Sequence, residues 1–145
     1  MNSSQVSLLA TLAAVAALVR LLWIESLFGV GPISIGLQVA ALLLMLWARL
    51  VFGMRSFHAA AQTTSGELVT RGPYAMVRNP IYAAVLLFAA TGIAVHLSLE
   101  SVLLGLVILA AMLVRIFLEE RFLRWCYEDY PGYCSRVKRL VPFVF

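Results

Sequence analysis

The chain has 145 residues, of which 63% are hydrophobic and 12% charged, with a net charge of +4 and a mean hydropathy of +0.96. A soluble domain is nearer half apolar and a quarter charged, and a globule this small has too little interior to hide the surplus, so lipid must cover much of the surface. Nucleic acid is a poor partner for the basic charge, because the arginines sit between apolar runs rather than along one solvated face.

The first apolar stretch covers about residues 5–24, long enough for a membrane helix of about 20 residues. It lacks a basic start and an A-x-A cleavage site and is soon followed by a second stretch, so it reads as a span rather than a leader. Arg20, toward its far end, is expected to snorkel to the interface or pair with Glu25. After Gly29-Val30-Gly31-Pro32, a second span runs over about 33–52. The loop 53–79 precedes a third span at 80–96 and a fourth at 98–118, joined so tightly at His96-Leu97-Ser98 that they must form a helical hairpin. The predicted fold is all-α: one polytopic membrane domain of four transmembrane helices, a short interfacial helix near Tyr74 to Arg78, and an amphipathic helix in the tail 119–145.

Lys and Arg counts orient the chain. The loop holds Arg55, Arg71 and Arg78, and the tail holds Arg121, Arg124, Arg136, Lys138 and Arg139, whereas the turns at 25–32 and 97–101 hold none. Both termini and the two polar segments are therefore expected on the cytoplasmic side, the inner membrane in a bacterium. With minimal outer turns, any chemistry belongs to those inner segments.

In the loop, Gly72-Pro73 marks a turn. Asn79 is a good N-cap, with Pro80 at the first position of span three. The free backbone N–H groups there could hold an anion, although most helix starts bind nothing. Arg115 and Glu119, spaced i, i+4, share one face at the inner end of span four. Such a pair is either a mutual ion pair or a functional site, since ionisable groups at membrane depth are functional suspects. Glu120 points elsewhere and is expected to be an interfacial anchor. Beyond it, Phe122, Leu123, Trp125, Cys126 and Tyr130 alternate with charged residues until Pro131-Gly132 breaks the helix, and the apolar end from Val141 to Phe145 is expected to fold back. His58 and His96 stand alone, and Cys126 and Cys134 have no metal-ligand spacing, so no metal site or disulfide framework is indicated.

Taken together and in this order, these segments resemble the isoprenylcysteine carboxyl methyltransferase family and its phospholipid-methyltransferase relatives. The matching residues are Leu68-Val69-Thr70, Gly72-Pro73-Tyr74, Arg78-Asn79-Pro80-Ile81-Tyr82, Arg115, Glu119-Glu120, Tyr130, Tyr133, Arg136-Val137 and Pro142. The resemblance covers about residues 60–145; spans one and two match only in being apolar. It implies a membrane methyltransferase using S-adenosyl-L-methionine. By analogy Gly66, Glu67, Leu68, Val69, Tyr74, Asn79, Pro80, Ile81 and Tyr82 line the cofactor pocket. The same analogy has Glu119 hold the cofactor's ammonium and Arg115 orient a lipophilic acceptor reached from the bilayer, expected to be a carboxylate. The chain departs from the family pattern in three places. Asn79 replaces the usual His, Ala84 stands near a common Gly, and the segment from Glu120 to Tyr130 is one residue short.

Two other readings compete. A small four-helix transporter calls for an acidic residue in mid-span, but Glu25, Glu100 and Glu119 all sit at ends. A non-catalytic subunit on the same fold is favoured by Asn79 alone. The sequence does not identify the acceptor, and an oligomer is compatible with it but not implied.

Overall fold

The computed structural model of the chain describes residues 2–53, 68–142, 144 and 145. Gly66, Glu67 and His58, singled out above, lie outside them. The described residues are helical throughout, with no strand and one isolated bridge between Val77 and Lys138. The helices are α1 (Ser3–Trp23), α2 (Pro32–Phe52), α3 (Pro80–Val95), α4 (Leu99–Cys126) and α5 (Tyr130–Arg136), with a 3-10 turn at Gly72–Ala75.

Local chemistry sets the boundaries. Proline occupies the first turn of α2 and α3, where its missing N–H costs nothing. Ser98 and Ser101 cap α4 reciprocally: Ser101 N donates to Ser98 Oγ at 3.1 Å and Ser98 N to Ser101 Oγ at 3.0 Å. The helix expected at 80–96 forms over Pro80–Val95, and the expectation for the tail is corrected. α3 has 16 residues, a rise of about 24 Å against a hydrocarbon core of about 30 Å. Three described helices are therefore long and apolar enough to cross a membrane, α1, α2 and α4, and the expected span at 80–96 is a shorter apolar helix. The tail does not begin a separate amphipathic helix after residue 118. α4 continues unbroken for 28 residues until Tyr127 turns extended, and Pro131-Gly132 lies in the first turn of α5 rather than ending a helix. Charged residues such as Glu119, Glu120 and Arg121 are good helix formers and offer no reason to stop. The interfacial helix near Tyr74 is the 3-10 turn, displaced toward Gly72.

α1 lies antiparallel on α4 and α2 antiparallel on α3, and a smaller α3–α4 contact joins the pairs. The core where α1, α3 and α4 meet contains Ala14, Ala17, Leu21, Ala89, Ile108, Ala111 and Met112. Four of these seven are alanines, which let backbones approach closely, the usual packing of helices that gain little from hydrophobicity in lipid. Large aliphatic residues such as Leu12, Val19, Leu42, Leu46 and Leu106 are exposed instead, as lipid contact requires.

One end of the bundle is closed by short polar contacts. Buried Gln38 accepts from Gly29 N at 2.9 Å and donates to Leu27 O at 2.9 Å and Phe88 O at 3.2 Å. His96 Nε2 lies 3.0 Å from Phe28 O. Arg20 pairs with Glu100 at 2.7 Å, not with Glu25, because the antiparallel α1–α4 packing brings the two helix ends together while Glu25 sits in the turn beyond α1. Gly92 packs on the same turn: a Cβ there would fall 2.1 Å from Leu27 O and 2.8 Å from Ser26 O. Backbone cannot retreat as a flexible side chain can. Gly92→Ala should therefore cost about 1–3 kcal/mol, seen as a lower thermal midpoint in detergent; an unchanged midpoint would mean that the turn is not held against α3.

Candidate active site

The polar groups gather at the opposite end, where the start of α3 meets the C-terminal half of α4. Glu119 and Glu120 are successive residues, so they point about 100° apart on α4 and face different partners.

Glu119 faces the first turn of α3. Its Oε1 accepts a short hydrogen bond from the Tyr82 hydroxyl and a second from Arg115 Nη2 at 3.1 Å. Arg115 lies over the Tyr82 ring, 5.7 Å from its centroid, and its Nη1 donates to Thr11 Oγ1 on α1. The side chain of Arg115 is 17% exposed and that of Glu119 34% exposed. Arg115 Nε is buried and has no hydrogen-bond partner among the described residues. That is an unusual state for a charged donor, since buried polar groups are nearly always satisfied. The expected trio of Tyr82, Arg115 and Glu119 is thus one cluster, on a helix pair held by a third helix.

Glu120 is the correction. It is buried, 3% exposed, and is no interfacial anchor. Its carboxylate accepts from Arg78 Nε at 3.1 Å, Asn79 Nδ2 at 3.1 Å and Arg139 Nη2 at 2.9 Å. Arg78 also donates through Nη1 to Val137 O at 2.6 Å and Cys134 O at 3.0 Å. Burial alone would lower the Arg78 pKa, but the hydrogen bond and charge of Glu120 outweigh it and hold the guanidinium above its ordinary value. Arg139 sits between rings, 4.7 Å from the Phe117 centroid and 5.1 Å from that of Phe145. The apolar end, expected to fold back against the bundle, turns back on itself, with Val141, Val144 and Phe145 exposed. Leu140 N and Val141 N donate to Phe145 O, and Arg78 N donates to Lys138 O at 2.8 Å.

Asn79 takes the N-cap position of α3, but its side chain caps nothing; it is spent on Glu120 and on Arg139 O at 3.2 Å. A buried carboxylate gains more from a donor than an already proline-started helix gains from a cap. Pro80 is fully buried, and Ile81, Leu68 and Val69 are half-buried. Tyr74 is buried against Phe52, with ring centroids 5.7 Å apart, and its carbonyl accepts from the Tyr133 hydroxyl. Burial, with Arg49 opposing and Glu119 adding to it, pushes the Tyr74 phenol up to about 12; burial likewise raises Tyr133. Both stay neutral hydrogen-bonding groups at physiological pH. Gly72, at φ 62°, lets the turn press on α2: a Cβ there would meet Val51 Cγ2 at 2.9 Å. An open apolar depression of about 550 Å³ on α2, lined by Leu43, Leu46, Trp47 and Leu50 among others, contains none of these residues.

Sequence reasoning missed Glu120, Arg139 and Thr11. Arg139 belonged to a run counted only for its charge, and Thr11 to a span read only as apolar.

The sequence model of the phospholipid methyltransferase family matches residues 27–130, well over half of the chain. The chain belongs to that family. It is the same family of membrane methyltransferases that contains the isoprenylcysteine carboxyl methyltransferases, and its members generally use S-adenosyl-L-methionine. The match takes in the α3–α4 cluster but neither α1 nor the Arg139 end of the tail. Comparison with curated proteins and with solved structures gives no match.

Removing one partner of a buried ion pair strands the other charge, at a cost of about 3–5 kcal/mol. Glu120→Ala, which leaves Arg78 and Arg139 facing each other, should lower the thermal midpoint in detergent far more than Arg20→Ala, whose pair with Glu100 is half exposed. Equal, small losses in the two variants would mean that the Glu120 cluster does not hold the fold.

Proposed function

We propose that this membrane methyltransferase uses S-adenosyl-L-methionine to methylate the carboxylate of a lipophilic acceptor that reaches the Arg115–Glu119 cluster from the bilayer. The observation that carries the reading is the buried Arg115 Nε without a partner among the described residues. A carboxylate oxygen is the natural ligand for a desolvated guanidinium donor, and the rest of that guanidinium is already held by Glu119 and Thr11.

The residues present suit the cofactor. Glu119 keeps a third of its side chain exposed and carries a carboxylate suited to an ammonium. No side chain caps α3, so the backbone N–H groups of Ile81 and Tyr82 in its first turn, just after Pro80, are free to take a carboxylate. Tyr74 and Asn79 border this end, and Gly66, Glu67, Leu68 and Val69 are assigned to the same pocket by the family resemblance. The cofactor supplies a methyl group already activated by its sulfonium, so the chain needs no nucleophile of its own. A carboxylate acceptor needs no base either: its oxygen forms the new bond to the methyl carbon, and the leaving electron pair stays on sulfur. What the chain contributes is alignment and exclusion of water. Arg115 orients the acceptor, Tyr82 keeps Glu119 from swinging away, and the lipid-covered helices close the apolar side. Arg71 and Arg78 of the loop and the Lys and Arg residues of the tail lie at this end, which supports a cytoplasmic site with both termini on that side. The lipid bilayer is the obligatory partner; no role for metal or nucleic acid enters this chemistry.

The family's description as phospholipid methyltransferases favours a second acceptor class, a lipid headgroup amine. A protonated amine must lose a proton first, and the cluster offers no base other than the already engaged Glu119.

The test uses the purified protein in lipid nanodiscs. Glu119→Ala should abolish saturable binding of S-adenosylmethionine. Arg115→Ala should bind it normally but lose roughly 10²-fold or more in turnover, as misplaced reactants do. With a labelled methyl donor, a carboxyl ester releases its label as methanol in mild base, whereas an N-methyl group keeps it. Normal binding and turnover in both variants would remove the site assignment, and base-stable label would move the acceptor to the amine class.

A further inference from the structure

We infer that Thr11 of α1 is a positioning residue for acceptor binding, because it fixes which edge of the Arg115 guanidinium faces the acceptor. The inference rests on the carboxylate reading above, and it extends the site to a helix that the family match does not include.

Thr11 lies on the α1 stripe that packs on α4, one turn before Ala14 and in line with Ala17 and Leu21 of the core. Its hydroxyl makes two hydrogen bonds with opposite roles. It donates to Ser7 O at 2.8 Å, within its own helix, and accepts from Arg115 Nη1. With the only hydroxyl proton committed to Ser7, lone pairs must face Arg115, so Thr11 is an oriented acceptor rather than a rotor. Arg115 is then held at three places: Nη1 by Thr11, Nη2 by Glu119 at 3.1 Å, and its face by the Tyr82 ring. Nε is the donor left over. Glu119 alone would not produce this. A guanidinium freed from Thr11 would turn toward Glu119 and pair with it through two donors, the preferred geometry for Arg and carboxylate. Nε would then face the protein's own carboxylate rather than an incoming one. α1 thus keeps Arg115 and Glu119 from satisfying each other, which leaves one to the acceptor and the other to the cofactor.

The experiment uses the full chain in nanodiscs and equilibrium binding of two probes: an S-prenylated N-acetylcysteine as a lipophilic carboxylate, and S-adenosylhomocysteine. Thr11→Val removes the hydroxyl at nearly constant shape, and Thr11→Ser restores it. The valine variant should weaken binding of the carboxylate probe roughly tenfold, the scale of a hydrogen bond to a charged group. Binding of S-adenosylhomocysteine should hold within about twofold. The serine variant should bind as wild type does, and Thr11→Val should have no further effect when Arg115 is already alanine. Unchanged probe binding in Thr11→Val would overturn this inference alone. So would a parallel loss of both probes with a lower thermal midpoint that serine does not rescue, since that pattern belongs to a packing role. If wild type fails to bind the carboxylate probe, or Arg115→Ala binds it equally well, the carboxylate reading falls and takes the inference with it.

Discussion

Everything at the polar end of this molecule depends on one buried carboxylate, that of Glu120. An ionised group taken out of water is tolerated only when donors replace its hydration. Here the donors come from two remote parts of the chain: Arg78 and Asn79 just before α3, and Arg139 in the tail. Meeting that need ties the start of α3 to the end of α4 and folds the tail over both. The backbone follows the side chains, with Arg78 N on Lys138 O and Asn79 N on Arg139 O. Once Asn79 is fixed on Glu120, Tyr82 is carried by the first turn of α3 toward α4, where it meets Glu119. The Glu119 cluster is thus built on the Glu120 cluster.

The lengths of the helices put that construction at a particular depth. α3 has 16 residues, so its start lies about 24 Å from its end at Val95. α4 starts at Leu99, just after that end, so Arg115 lies about 24 Å and Glu119 about 30 Å along it. Those heights compare with a hydrocarbon layer about 30 Å thick: Arg115 falls about 6 Å short of the full thickness and Glu119 reaches it. A chain-bearing acceptor in the bilayer and a water-soluble cofactor can meet only at the boundary of that layer. α4 runs on to Cys126 and gives the tail a rigid post to fold against.

Much of this was legible in the sequence, because it obeys short-range rules. Apolar runs located α1 and α2, the i, i+4 spacing paired Arg115 with Glu119, and Asn-Pro marked the start of α3. What escaped depends on contacts that no local rule sees. Arg20 has a carboxylate five residues away at Glu25, yet its partner is Glu100, 80 residues on. Glu120 looked like an anchor because its neighbours on α4 are apolar or basic, and its partners lie 42 and 19 residues distant. Thr11 is a single hydroxyl in an apolar helix, and only the approach of α4 gives it a purpose. The third apolar run was located to within one residue, 80–96 against Pro80–Val95, whereas the close approach of Gly92 to the Leu27 backbone was not legible. The tail was misread because alternating aromatic and charged residues fit a surface helix and the extension of a long one equally well.

The two adjacent glutamates show why identical side chains take different parts. Glu120 is saturated by two guanidinium groups and an amide, so it is ionised, immobile and closed to any ligand. Glu119 has one guanidinium, itself shared with Thr11, and one phenol, both on the same oxygen. Counting formal charges, Glu120 with Arg78 and Arg139 leaves +1, and Glu119 with Arg115 leaves zero. The uncapped start of α3 adds its positive dipole end to that surplus. On the proposed reading, a zwitterionic amino-acid group finds here a site for each of its charges: a positive field at the start of α3 for its carboxylate, and a half-exposed Glu119 for its ammonium. A second fully paired glutamate at position 119 would have made a stronger clasp and an inert one. The function proposed here therefore depends on Glu119 being left incompletely satisfied, and it can be left so because Glu120 holds the fold.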